Sequence, residues 1–324
     1  MNQSIALKDQ PKVFAALKEG FTILSTHLYL MLFPLGLDLF FLFAPRFTIR
    51  TFANQALDQF NSLTQLAGQS TDTIKQVLDS VRTYFEYFSL TSALRTYPVG
   101  VPSLLAGRPL AANPFGTLRV LDITDPGQIF LVVLGFSVIG LMIGTLYFIA
   151  SRNATVTMTK KTTLGNILKN FGNLFLLSLI YIVVGFIISM PIMIIYGLFT
   201  AINPIIGIVI YFVAAMFLLS FIIPLYFAPH VVVLFERNPI EAIKMSLQAV
   251  RPYYSITSVF LTLELIFAFL TNLLWQTPVD NSAMLFVGIF GHALVTTALL
   301  IASFRFFENI VALFQEKFVN PQTA

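Results

Sequence analysis

The stretch QIFLVVLGFSVIGLMIGTLYFIA, residues 128–150, decides the fold class, because it runs without a single charged side chain. At 1.5 Å rise per residue, a helix of that length covers the ~30 Å hydrocarbon layer of a bilayer. Five further apolar runs of similar length lie at about 23–45, 174–199, 201–228, 255–274 and 283–305. The expectation is an all-α, polytopic membrane helical bundle of six spans.

Composition agrees. Hydrophobic residues make up 57% of the chain and charged residues 10%, against roughly 25% charged in soluble domains. The 34 phenylalanines need no ligand to explain them, since Phe partitions well into lipid and packs between spans. The excess of 19 Lys and Arg over 15 Asp and Glu sets orientation in such a chain, and nucleic acid is not expected as a partner. With no cysteine, disulfides, thiolate nucleophiles and zinc ribbons are excluded. The first apolar run is too long for a signal peptide and reads as an uncleaved span.

Basic residues are distributed unevenly around the spans. Lys8, Lys12 and Lys18 precede the first; Arg152, Lys160, Lys161 and Lys169 lie between the second and third; Arg237, Lys244 and Arg251 fall in 229–254, and Arg305 and Lys317 near the C-terminus. The turns near Thr200–Asn203 and Gln276–Ser282 carry none. By the positive-inside rule both termini face the cytoplasm, and the expected location is a bacterial plasma (inner) membrane. The basic residues between Arg46 and Arg119 belong to a loop longer than the ~60 residues over which the rule is counted.

This divides the chain into an entry helix with the first span (1–46), an exported insertion (47–127) and a five-span bundle (128–324). Within the insertion, Phe52, Ala56, Phe60, Leu63 and Ala67 repeat at helical spacing up to Gly68. Ile74, Val77, Leu78, Val81, Tyr84, Phe85 and Phe88 repeat again after Ser70, an N-cap candidate. The spacing predicts a helical hairpin, about 49–67 and 71–90, packed through Phe60, Leu63, Val77, Val81 and Phe85. From Tyr97 onward Pro98, Pro102, Pro109 and Pro114, with Gly100, Gly107 and Gly116, predict an extended, surface-hugging connection. The insertion reads either as a lid or protein-partner module over the outer mouth of the bundle, or as an amphipathic pair resting on membrane lipids.

On the other side, VFAALKEGF (13–21), LGNILKNFG (164–172) and PIEAIKMSL (239–247) each place an apolar residue before a lysine shortly ahead of an outward-going span. Each could be an interfacial helix feeding a two-span hairpin, giving three helix-plus-hairpin units. In the third, Asn238 is the expected N-cap and Pro239 the first helical residue, with Ile240, Ile243, Leu247 and Val250 pointing into the bilayer or the bundle and Glu241, Lys244 and Gln248 toward water.

The stretch PLYFAPHVVVLFERNPIEAIKMSLQAV, residues 224–250, has a span ending in Ala-Pro, an apolar stretch, a Glu, and an amphipathic helix opened by Asn-Pro. Through Pro229, Glu236, Pro239, Ala242 and Ser246 it resembles uncharacterised bacterial six-span membrane proteins related to the membrane domain of glycerophosphoryl diester phosphodiesterases. The resemblance covers at most residues 128–310 and implies a fold. The phosphodiesterase catalytic domain is not part of it, so hydrolase activity does not come with it.

Ionisable groups inside spans are costly and are therefore candidates for function. His27 and Asp38 lie in the first run, Glu264 in the fifth and His292 in the sixth. Counted along each helix from the cytoplasmic end, Asp38 falls ~22 Å deep, His292 ~20 Å and Glu264 ~14 Å, so an Asp38–His292 pair is geometrically allowed. The candidate ligand-binding set is Asp38, Glu264 and His292; each could equally be a structurally satisfied group. Gly135-Phe136-Ser137 gives a G-x-S that, with His292, would make a serine and its base. Helix packing explains it more simply, as it does the Gly140/Gly144 step. Pro191 and Pro224 interrupt the third and fourth spans. Asn153-Ala154-Thr155 matches a glycosylation acceptor on the wrong side of the membrane. No motif for a metal, a nucleotide or another cofactor occurs. The sequence thus describes a protein without recognisable catalytic machinery that binds or moves a lipid-like or small amphiphilic molecule, with a scaffold or assembly subunit as the alternative and an intramembrane serine hydrolase as a distant one.

Overall fold

The structure is a computed structural model that describes residues 11–66, 72–108, 112–117, 119–156 and 163–319. Gly68, Ser70, Pro109, Lys8, Lys160 and Lys161 lie outside the described residues. The chain is an all-helical bundle, with five helices long and apolar enough to cross a membrane, or six if one bent pair counts as a single span. These helices fit a membrane protein.

The bent pair occupies the first apolar run, where a single helix is expected. Helix α1 (Val13–Thr26) stops at His27, a 3-10 turn follows at Leu28–Met31, and α2 (Leu32–Phe43) leaves at 95° to α1. His27 holds the corner, its Nδ1 lying 3.0 Å from the carbonyl of Ile23 and 2.9 Å from Thr26 Oγ1. At twelve residues, α2 covers only ~18 Å, too little to cross a bilayer alone.

After strand β1 (Arg46–Thr48) come the two insertion helices, α3 (Arg50–Leu66) and α4 (Asp72–Tyr87). They contact each other as a hairpin, and Arg82 bonds Asp58 at 2.6 Å across it. The seam differs from the expected one. Ala53 and Leu78 are buried, with Val81 and Phe85 partly buried, whereas Phe60 (53% exposed), Leu63 and Val77 face outward. The hydrophobic stripe is therefore not consumed by hairpin pairing. Asn54, Asn61 and Thr64 take up part of the inner face instead.

The connection beyond α4 does not hug the surface. A 3-10 turn (Leu90–Leu94) and the chain after it bury Val99, Val101, Ser103, Leu104 and Leu105. They enter against α5 (Pro126–Thr155), the helix of the 128–150 run. Its Gly140 and Gly144 admit this segment rather than another helix, since a Cβ on Gly140 would collide with the carbonyl of Leu94 and one on Gly144 would meet Gly100 Cα at 2.9 Å. Two minimal sheets tie the segment: β1 runs parallel to β4 (Val120–Asp122), and β2 (Ala112–Asn113) antiparallel to β3 (Gly116–Thr117).

Helices α6 (Leu164–Ile202) and α7 (Pro204–Leu225) form a long hairpin that keeps most large side chains exposed, Phe186 and Phe212 at 68% among them. Such a surface suits lipid and not water. LGNILKNFG is the start of α6 and not a separate interfacial helix. Pro191 sits inside α6, which continues through it; α7 ends just past Pro224, and α8 (Ala228–Phe235) resumes after a turn at Tyr226 and Phe227. The carbonyls freed there are recaptured, that of Pro224 by the Ser246 hydroxyl and that of Leu225 by Tyr181 Oη at 2.7 Å. Helix α9 (Pro239–Val250) starts with Asn238 capping Glu241 N–H at 2.9 Å and Pro239 at its first position. Its buried face is Ala242, Ser246, Ala249 and Val250, while Ile240 and Leu247 are exposed. Small residues let α9 lie close under the α7–α8 break, and Val250 of the expected apolar face joins them. Helices α10 (Tyr254–Trp275) and α11 (Met284–Phe314) complete the bundle. Helix α1 packs along α11, the most enclosed of the long apolar helices.

Candidate functional site

The three sequence candidates occupy different surroundings. Asp38, on α2, is fully buried and saturated by the incoming insertion: Ser103 Oγ donates to Oδ1 at 2.5 Å, Leu105 N–H to Oδ1 at 3.0 Å and Leu104 N–H to Oδ2 at 3.1 Å. The carboxylate acts as the anchor of a tight turn, and Ser103 Oγ in turn accepts from Ala106 N–H. His292, on α11, is 8% exposed with Nε2 buried and unpaired. No hydrogen bond joins His292 to Asp38 or to Ser137 among the described residues. The charge of Arg95 reaches both Asp38 and His292.

Glu264, on α10, is the candidate that lines a cavity. A groove of about 570 Å³ lies between α5, α7, α10, α11 and the 95–102 segment. Its walls are mainly aliphatic, including Leu219, Ile222, Leu261, Leu265 and Leu300. Its polar side holds Glu264, Tyr226, Thr296 and Arg95. Tyr226 Oη donates to both Glu264 oxygens, at 3.1 and 3.3 Å. The geometry suits a molecule that is mostly apolar with one polar group, in a volume typical of small-molecule sites.

Behind Tyr226 lies a pair that the sequence reading passed over. His230 Nε2 is 2.8 Å from Ser303 Oγ, and both residues are buried. The Ser303 hydroxyl proton is spent on the carbonyl of Leu300 at 2.8 Å, so the imidazole N–H donates to the serine and does not take its proton. Phe148, Phe227 and Phe304 enclose the ring. This is internal glue for α8 and α11. A signal existed in His230 itself, a titratable residue just past the end of the 201–228 apolar run.

Among the described residues no group of His, Asp and Glu is arranged to hold a metal ion. Comparison with protein-family models, curated proteins and solved structures returns no match. The resemblance to phosphodiesterase membrane domains therefore rests on the residues of 224–250 alone.

Proposed function

We propose that this protein binds, or moves, a lipid-like or small amphiphilic molecule in the groove between α7, α10 and α11. The observation that carries the reading is the juxtaposition of aliphatic walls with a polar side built around the Glu264–Tyr226 pair. A carboxylate in a membrane helix is costly unless it is partnered or used, and this one faces space large enough for a ligand. The reading includes six spans in a bacterial inner membrane, both termini cytoplasmic and the 47–127 segment outside. The Lys and Arg distribution supports that orientation. The fold relation to phosphodiesterase membrane domains is proposed on the same footing.

A scaffold or assembly role is the second reading, and the enclosed state of Asp38 favours it. The experiment is native mass spectrometry of protein released from membrane-derived particles, with Ala268→Trp filling the groove. The ligand reading expects a retained amphiphile on the wild type that the variant loses at unchanged helix content. No retained amphiphile, or equal retention by both proteins, sinks it in favour of the scaffold.

A further inference from the structure

A second cavity, of about 710 Å³, lies beneath α4 where α2 ends and the insertion begins. Among the described residues three arginines line it, Arg46, Arg95 and Arg108, and no Asp or Glu does. The guanidinium of Arg108 is already used: it bonds Asp280 at 2.6 Å and the carbonyls of Gln276 and Pro278. Among the described residues, Arg46 and Arg95 form no ion pair. The acids within their fields are Asp280 and Asp38, the first held by Arg108 and the second by Ser103 and two backbone N–H groups. Arg46 is half-buried, and that loss of water pulls its pKa below the usual arginine value, only partly offset by Asp280. Phe41, Tyr84 and Tyr87 supply apolar walls beside these cations.

A partly dehydrated guanidinium without a counter-ion is poorly satisfied, and its planar fork matches the oxygens of a carboxylate or phosphate. The cavity is far larger than an inorganic ion, and its aromatic walls would be wasted on one. We propose that this cavity is a binding site for the anionic headgroup, phosphate or carboxylate, of an amphiphile. It is separate from the Glu264 groove and does not depend on the reading given to that groove, although Arg95 borders both spaces.

The test uses full-length protein in neutral detergent, with binding read by native mass spectrometry and thermal melting. The probes are phosphatidylglycerol, phosphatidylcholine and inorganic phosphate. Phosphatidylglycerol should bind at least about tenfold more tightly than phosphatidylcholine, and the Arg46→Gln/Arg95→Gln double variant should lose about tenfold or more of that affinity. Thr83→Glu, which adds an acid to the cavity wall while leaving the arginines in place, should lose it as well, covering the case in which the double variant does not fold. Lys75→Gln removes an exposed cation of the same hairpin outside the cavity and should have no effect. Arginine-dependent binding of inorganic phosphate as tight as that of phosphatidylglycerol would overturn the assignment to an amphiphile and leave a site for a free anion. Equal binding of the two lipids, wild-type affinity in the folded arginine and Thr83→Glu variants, or an equal loss in Lys75→Gln would overturn the proposal.

Discussion

Tyr226 and Glu264 hold each other across the break between α7 and α8: the phenol donates to both carboxylate oxygens, at 3.1 and 3.3 Å, from a turn that follows the α7 carbonyls capped by Tyr181 and Ser246. The polar locus of the groove is thus built on an interrupted helix. Interruption of this kind is tolerated at membrane depth only where neighbours satisfy the freed backbone groups.

Tyr226→Phe should therefore destabilise the protein by about 1–3 kcal/mol, because it strips Glu264 of its donor without removing the carboxylate. Glu264→Gln keeps an acceptor for the phenol and should cost less. Thermal melting in one detergent orders the variants. A Tyr226→Phe protein as stable as the wild type would show that water or lipid, and not Tyr226, satisfies the carboxylate.

At Asp38 the expectation is structural. Asp38→Ala leaves Ser103 Oγ and the N–H groups of Leu104 and Leu105 buried without an acceptor, so stability should fall by several kcal/mol, at about 1–3 kcal/mol per orphaned group. Asp38→Asn retains an acceptor oxygen and should lie between Ala and wild type. Folded yield and melting temperature across the three proteins check this, and equal values for Asp38→Ala and wild type would remove the anchor role.

The helices were legible because 20-residue apolar runs have few alternatives, whereas their partners were not. The 23–45 run looks continuous by hydropathy, yet His27 turns it by 95° through local hydrogen bonds that no apolar count detects. Gly140 and Gly144 correctly mark a close approach, but a glycine step does not say whether a helix or a 3-10 turn arrives. The hairpin seam failed for a similar reason: Phe60 and Leu63 are apolar enough for either lipid or protein, and periodicity cannot choose. Asp38 and Glu264 were found as rare intramembrane acids. Arg95 was passed over, because an arginine in a long loop is ordinary until the fold sets it at the edge of two cavities.

Asp122 gives a pH dependence outside the membrane helices. From β4 it accepts Thr48 Oγ1 at 2.7 Å and the N–H groups of Arg50 and Thr51 at 2.9 and 3.2 Å, capping the first turn of α3 from a distant strand. Burial pushes its pKa up, but the bonds from Thr51, Thr48 and Arg50 outweigh burial and hold it below 3.8. A carboxylate depressed in the folded state gives stability that is complete above its unfolded value and is lost as pH falls through the folded one. Amide exchange at Arg50 and Thr51, corrected for intrinsic rate, should show full protection above about pH 4 and loss below it. In Asp122→Asn protection should be weaker at neutral pH and flat across that window. An unchanged acid loss in the variant would assign it to another group.

Glu236 sits in the left-handed region at φ 53°, ending α8 two residues before the Asn238 cap of α9. An L-residue there costs roughly 1–2 kcal/mol relative to right-handed backbone, and glycine escapes most of it. Among the described residues its side chain forms no ion pair, so little is lost by removing it. Glu236→Gly should therefore hold or raise stability by up to about 1 kcal/mol, while Glu236→Val, with a branched side chain that tolerates the region least, should lower it by at least as much. Melting of the two variants in the same detergent separates backbone geometry from side-chain chemistry. If Glu236→Gly is the less stable and Glu236→Gln matches the wild type, the carboxamide-length side chain and not the turn is what position 236 requires, and the backbone explanation for a glutamate in this motif fails.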